Sequence, residues 1–292
     1  MNDAFWQKYE SYRSYIENYL KNACLVYPNE PQQKLFESMR YSLLAGGKRL
    51  RPVFVYDFCA MSGGNWENAT SFAAALEMVH TYSLIHDDLP CMDNDDYRRG
   101  MLTNHKKYDE ATAVLAGDGL LTTAFWQVSK APFSADTRIK AVEVLAACAG
   151  ELGMVGGQVL DMQSEERQCT KEEVIAIQSR KTGALIKASC VLGVLAGQGS
   201  AEQLFAAESF ASDIGLAFQI RDDMLDVIGN AEELGKAVGV DAVKNTFVHL
   251  YGLDTCDKMV KEHTQSAISA LQAFKERSFM IELAHYLTDR TK

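Results

Sequence analysis

The sequence predicts an all-α fold, a single-domain bundle of long antiparallel helices, on three observations. All five prolines of the 292 residues precede position 133, so the C-terminal half lacks its strongest helix breaker. Ala, Leu, Glu and Lys, all good helix formers, dominate what remains. Apolar residues recur at three-to-four spacing, as in Phe5, Tyr9, Tyr12, Ile16 and Tyr19-Leu20, which is the period of one helix face.

That first stripe covers residues 3–24. Pro31 suits the first turn of a second helix, which Gly46-Gly47 closes. After Lys48-Arg49-Leu50-Arg51, Pro52 opens a third helix through Met61. Gly63-Gly64-Asn65 breaks the chain before a fourth helix over 66–88, with Phe72, Leu76, Val79 and Ser83 on one stripe and Pro90 ending it. Residues 89–107 read as a polar loop. Asp109 can cap a helix to Lys130, and Pro132 separates it from a helix over 135–163. Thr170-Lys171-Glu172-Glu173 is a capping box opening a helix to Ala196. Gly197-Gln198-Gly199 turns the chain into a helix from Ser200 to Ile228, followed by a second polar loop, 229–245, and two or three shorter helices. No repeat, low-complexity segment or linker interrupts this order, so residues 1–292 are expected to form one domain.

Hydrophobic residues make up 47% of the chain, enough for a substantial core, and a net charge of −10 argues against nucleic acid as a partner. The seven cysteines are dispersed, without a CxxC pair or metal-ligand spacing, which points to reduced thiols and a cytoplasmic setting. The N-terminus does not read as a signal peptide, and no apolar run reaches membrane length, so no membrane span is expected.

Two acidic clusters stand out. One runs His86-Asp87-Asp88-Leu89-Pro90-Cys91-Met92-Asp93-Asn94-Asp95-Asp96; the other reads Gln219-Ile220-Arg221-Asp222-Asp223-Met224-Leu225-Asp226. Each ends an apolar helical stretch, where crowded carboxylates repel and are costly to desolvate unless cations pair with them. Asp87 and Asp93 would lie on different faces of an unbroken helix, but the break at Pro90 lets the loop curl Asp93 back. Asp222 and Asp226, four apart, share a helix face. A solvated acidic loop is the plain alternative for either cluster alone. Two clusters of oxygen donors, with no Cys or His arranged around them at metal-ligand spacing, favour Mg²⁺ over Zn²⁺, and Mg²⁺ leaves coordination positions for substrate phosphates, so a diphosphate is the expected ligand. Arg51, Arg98 and Arg99 offer planar forks and Lys48, Lys181, Lys236 and Lys244 point charges for such an anion. Gly46-Gly47-Lys48 lacks P-loop spacing. His80 lies two turns before Asp87 on nearly the same face.

Gly46-Gly47-Lys48-Arg49-Leu50-Arg51-Pro52, the Asp87–Arg99 stretch, Lys181-Thr182-Gly183-Ala184-Leu185 and Phe218-Gln219-x-x-Asp222-Asp223-x-x-Asp226 resemble, in order and spacing, the trans-isoprenyl diphosphate synthases, and among them the bacterial farnesyl diphosphate synthases. The resemblance implies an isoprenoid synthase-like bundle around a deep apolar cavity, working as a homodimer on isopentenyl diphosphate and allylic diphosphates. It implies three Mg²⁺ ions, with Asp87, Asp88 and Asp93 on one wall and Asp222 supported by Asp226 on the other; Asp223 completes that motif. By the same resemblance Arg98, Lys181, Lys236 and Lys244 clamp the allylic diphosphate. Lys48, Arg51, His80 and Arg99 would hold isopentenyl diphosphate, and Thr182 and Gln219 would face the developing cation. Tyr82 and Ser83, five and four residues before Asp87, would form the floor that limits chain length, an aromatic here going with a C15 product and a smaller residue with C20.

The sequence departs from the family pattern at Met101-Leu102, where Lys-Pro is usual, at Ala237, where Pro is usual, and at Asn94, where Asp is common. Competing readings are a geranylgeranyl diphosphate synthase, an HD-type phosphohydrolase suggested by His86-Asp87, and an inactive partner subunit. The second leaves the Asp222–Asp226 cluster without a role, and the third would be expected to have lost part of a cluster.

Overall fold

The computed structural model describes residues 1–23, 27, 29–165, 167–234 and 245–290. It is helical nearly throughout, as the proline distribution predicts. The helices are α1 (Asp3–Ala23), α2 (Gln33–Leu43), α3 (Leu50–Met61), α4 (Thr70–Asp87), α5 (Asn104–Lys107), α6 (Glu110–Ser129), α7 (Ala135–Ala149), α8 (Met154–Ser164), α9 (Lys171–Gln178), α10 (Ala184–Ala196), α11 (Ala201–Leu234), α12 (Phe247–Tyr251), α13 (Leu253–Ala270) and α14 (Ser278–Thr288).

Helices α3, α4 and α10 are apolar around most of their circumference, and such helices must be buried on all sides. Val53–Cys59 of α3, Phe72–Leu76 of α4 and Leu185 to Val194 of α10 are accordingly sealed off with few gaps. Around them pack helices with one apolar face, of which α1 buries only Phe5, Tyr9, Tyr12, Ile16 and Leu20, the stripe read from the sequence. Helix α4 packs on α6, α3 on α10, and α11 on α13. A second apolar cluster, including Ile177, Ile220, Met224, Phe247 and Val260, supports the far end of α11. No helix among the described residues is long and apolar enough to cross a membrane. Cys59, Cys91, Cys148, Cys169, Cys190 and Cys256 are unpaired thiols.

Several boundaries differ from the sequence expectation. The helix expected over 135–163 is two helices, broken between Gly150 and Gly153. The helix expected over 170–196 keeps its capping box at Thr170 but widens into a π-helical turn, Ser179–Gly183, before α10. The loop at 89–107 contains a two-residue ladder, β1 (Tyr97–Arg98) with β2 (Met101–Leu102), closed by Arg99 and Gly100, both at positive φ as a tight hairpin turn requires. Met101 and Leu102 thus have a role as strand residues. Helix α4 starts after a 3₁₀ turn at Trp66–Ala69, and α11 runs to Leu234, beyond the expected end at Ile228. Asp109 caps α6 as expected, accepting the Thr112 N–H at 2.7 Å.

Helices α3 and α10 approach so closely at Gly193 that an added Cβ would lie 2.6 Å from both the Phe58 Cβ and the Val55 carbonyl oxygen. Gly193→Val is therefore expected to cost about 3 kcal/mol, seen as a lower denaturant midpoint; an unchanged midpoint would contradict this packing.

Candidate active site

The first acidic wall forms where α4 ends. The Asp93 N–H donates to the Asp87 carbonyl at 2.8 Å and the Asn94 N–H to the Leu89 carbonyl at 3.1 Å, so the loop curls back as the break at Pro90 allows. Asn94 takes a left-handed conformation (φ 53°) to make that return. Asp87 faces a cavity, while Asp93 is exposed beside it. Asp88 is turned away: only 3% exposed, its Oδ1 accepts from the Arg98 Nε at 2.7 Å and lies 2.6 Å from the other arm of the fork. Asp88, expected to stand with Asp87 and Asp93 as a ligand, is engaged by Arg98 in this structure, since a buried charge takes the cation within its reach.

The second wall is on α11. Asp222 is engaged by the Arg290 guanidinium, which also stacks 4.4 Å over the Phe218 ring. Asp226, one turn on, is exposed. Asp223 points the other way, accepting the Phe247 N–H at 2.8 Å and the Gln219 amide at 3.3 Å. Through the Phe247 N–H it ties α11 to the chain beyond residue 245. Thr182 donates to the Gln219 Oε1 at 3.4 Å, and Lys181 pairs with Asp161 of α8 at 2.5 Å. Both Lys181 and Thr182 ride on the π turn, a widening common at functional sites. Lys236, Ala237 and Lys244 lie outside the described residues.

Two cavities meet beside the first wall. One, of about 540 Å³, is mainly apolar and is lined by Asp87, Lys181, Thr182, Tyr82, Ser83, Met154 and Val159 among others. The other, of about 570 Å³, is cationic, with Lys48, Arg51, Arg99 and Phe218. Arg51 and His80 line both, so the expected isopentenyl diphosphate set is assembled next to the expected allylic cavity. Gly47 (φ 129°) allows the Arg99 guanidinium to lie against the loop, since a Cβ there would meet the Arg99 Cζ at 2.9 Å. The buried Arg51 Nε has no hydrogen-bond partner among the described residues, and the Gln158 Oε1 in the apolar cavity is likewise orphaned. An orphaned guanidinium donor on a cationic wall fits an anionic ligand.

Burial pushes the Asp87 carboxyl up to about 6, with Asp93 and Asp88 adding to the rise and Lys181 and Arg98 opposing it. Burial also raises Asp222, against the pull of Arg290. The oxygen donors of these walls fit a hard divalent cation. Among the described residues no three His, Cys, Asp or Glu side chains are grouped as a metal cage.

Sequence reasoning missed Glu77, Gln158, Asp161 and Arg290. Polar residues interrupting an apolar helical run mark the middle two, since Gln158 and Asp161 are three apart on α8; Arg290, far along the chain, gave no such signal.

A family model described as polyprenyl synthetase matches residues 32–284. The chain is 42% identical to a farnesyl diphosphate synthase of Micrococcus luteus over 94% of its length and 96% of that protein. It is 46% identical to a chloroplastic geranylgeranyl pyrophosphate synthase of Capsicum annuum over 88% of its length and 71% of that protein. The crystal structure of an FPP/GFPP synthase from Zymomonas mobilis superposes with a TM-score of 0.88 at 35% identity, covering 99% of this chain and all of that one.

Burial and the neighbouring Arg51 and Arg99 hold the His80 imidazole well below 6.5. Below pH 6.5 the unfolded chain takes up a proton that the folded chain refuses, so this group lowers stability as pH falls. Denaturant midpoints measured from pH 7 to 5 should therefore fall less steeply in His80→Gln than in the parent.

Proposed function

Since the chain belongs to the polyprenyl synthetase family, we propose that it is a prenyltransferase that makes farnesyl diphosphate. It condenses isopentenyl diphosphate head to tail (1′-4) with dimethylallyl diphosphate and then with geranyl diphosphate, releasing diphosphate each time. The observation that supports this reading is the shared wall: a cationic cavity and an apolar cavity meet at Arg51 and His80, with Asp87 of the first acidic cluster lining the apolar one.

Asp87 and Asp93 would hold Mg²⁺ on one side and Asp222, with Asp226, on the other, three ions by the family resemblance; bound there, Mg²⁺ supplies positive charge to the departing diphosphate. Asp88 and Asp223 act indirectly, fixing Arg98 and the far side of α11. Lys181 adds charge to the allylic diphosphate, and Lys236 and Lys244 are proposed to join it from the segment outside the described residues. As the allylic C–O bond breaks, the Thr182 and Gln219 oxygens face the carbocation in a site poor in water. Lys48, Arg51, Arg99 and neutral His80 hold isopentenyl diphosphate so that its double bond attacks the allylic carbon. The new C–C bond forms, and the proton lost from the isopentenyl unit passes to the released diphosphate, so no side chain is assigned as general base.

Tyr82, 6% exposed and lining the apolar cavity with Ser83, is proposed as the floor that stops growth at C15. A C20 product, as the name of the Capsicum annuum relative describes, would need this ring out of the way. Helices α6 and α8 also expose apolar side chains outside the apolar cavity, Leu115 and Trp126 on one and Leu160 on the other, and these would suit a homodimer contact. The absence of a spanning helix among the described residues fits a cytoplasmic enzyme.

Labelled isopentenyl diphosphate with dimethylallyl or geranyl diphosphate should give a C15 product by chromatography, abolished by EDTA. Asp87→Ala and Asp222→Ala should each lower kcat by several orders of magnitude while keeping the helical circular dichroism; near-normal turnover by either folded variant would remove the metal assignment. Tyr82→Ala should yield longer products, and an unchanged C15 profile would reject the floor role.

A further inference from the structure

The cationic cavity depends on a loop whose shape is held from outside it. Between α2 and α3 three residues carry positive φ: Gly46 at 80°, Gly47 at 129° and Arg49 at 52°. Arg49 is the exception among them, a bulky side chain in the left-handed region, and such a residue persists only where its surroundings fix it. Three partners do so. Arg49, 3% exposed, donates from Nε to Glu17 at 2.7 Å, from one arm to Glu77 at 2.7 Å and from the other to the Leu43 carbonyl at 2.8 Å. One residue before, the Lys48 carbonyl accepts the Tyr9 hydroxyl at 2.6 Å. Tyr9 and Glu17 both belong to α1, which lies wholly outside the stretch matched by the family model, residues 32–284.

We infer that Tyr9 and Glu17 of α1, through the Lys48 carbonyl and the Arg49 guanidinium, are positioning residues for the isopentenyl diphosphate subsite. Lys48 and Arg51 flank Arg49 in the chain and both face the cationic cavity. Rotation of the backbone at Arg49 would swing them apart, so the left-handed turn sets the spacing of the two charges that grip one diphosphate. The two α1 side chains fix that turn without touching substrate. Their effect falls mainly on one of the two substrates, because Lys48 lines only the cationic cavity, whereas the allylic groups Asp87, Lys181 and Thr182 stand on α4 and the π turn. This inference rests on the reading under Proposed function.

The test is steady-state kinetics with each substrate varied in turn. Tyr9→Phe removes one hydrogen bond while keeping the ring packed on Phe5, and should raise the KM for isopentenyl diphosphate about fivefold, leaving the allylic KM and kcat in place. Glu17→Gln, which keeps an acceptor for Arg49, should raise the same KM by less. Phe274→Leu, in the core against Phe58 and away from α1 and both cavities, should lower Tm without moving either KM. Equal rises for both substrates, no rise in Tyr9→Phe, or the same selective rise in Phe274→Leu would overturn the inference. If the parent protein fails to condense the substrates, the functional reading falls instead. The loop is then judged by calorimetric binding of inorganic pyrophosphate, which Tyr9→Phe must weaken and Phe274→Leu must not.

Discussion

Like charges set the terms of this molecule. Carboxylates gathered at the end of α4 and along α11 repel one another and lose hydration in the same place. The structure relieves part of that load with its own groups: Arg98 on Asp88, Arg290 on Asp222, and the Phe247 N–H with the Gln219 amide on Asp223. The relief is uneven. Asp87 keeps a carboxyl raised by burial, and Asp93 and Asp226 stay open to solvent. Folding therefore offsets some of these carboxylates with its own donors, Asp222 among them, and leaves the cavity-facing Asp87 with a load that an external cation would relieve.

Such an arrangement is sustainable only on rigid supports. Helices α3, α4 and α10 are buried nearly all round, so the side chains at their ends inherit little freedom. Local departures from regular geometry occur at site residues: the π turn under Lys181 and Thr182, the hairpin turn at Arg99 and Gly100, and the left-handed Arg49. Regular helix supplies stiffness, and each irregularity re-aims one charged group toward a shared volume.

The helical class, the apolar stripes and both acidic clusters were legible in the sequence because each depends on local spacing. The curl at Asp87 and Asp93 followed from the break at Pro90, and the α6 cap from Asp109. What escaped was non-local. That Asp88 and Asp223 are spent on scaffold contacts depends on Arg98 and Phe247, which only the folded chain brings near. Arg290 lies 68 residues from Asp222 in the chain, and no periodicity connects them. The π turn was invisible because its residues read as ordinary helix, and the hairpin because two-residue strands carry too little alternation to register.

The left-handed residue in the first acidic loop also bears on how this position can vary. Asn and Asp adopt that backbone at small cost, Gly at none, and β-branched side chains at a high one. Asn94 thus makes the return of the chain without adding a further negative charge to the loop. The constraint at this site acts on torsion, and a carboxylate is not needed to meet it. A search that scores the motif by counting acids would undervalue sequences of this kind, whereas one that asks which residues tolerate the bend would retain them.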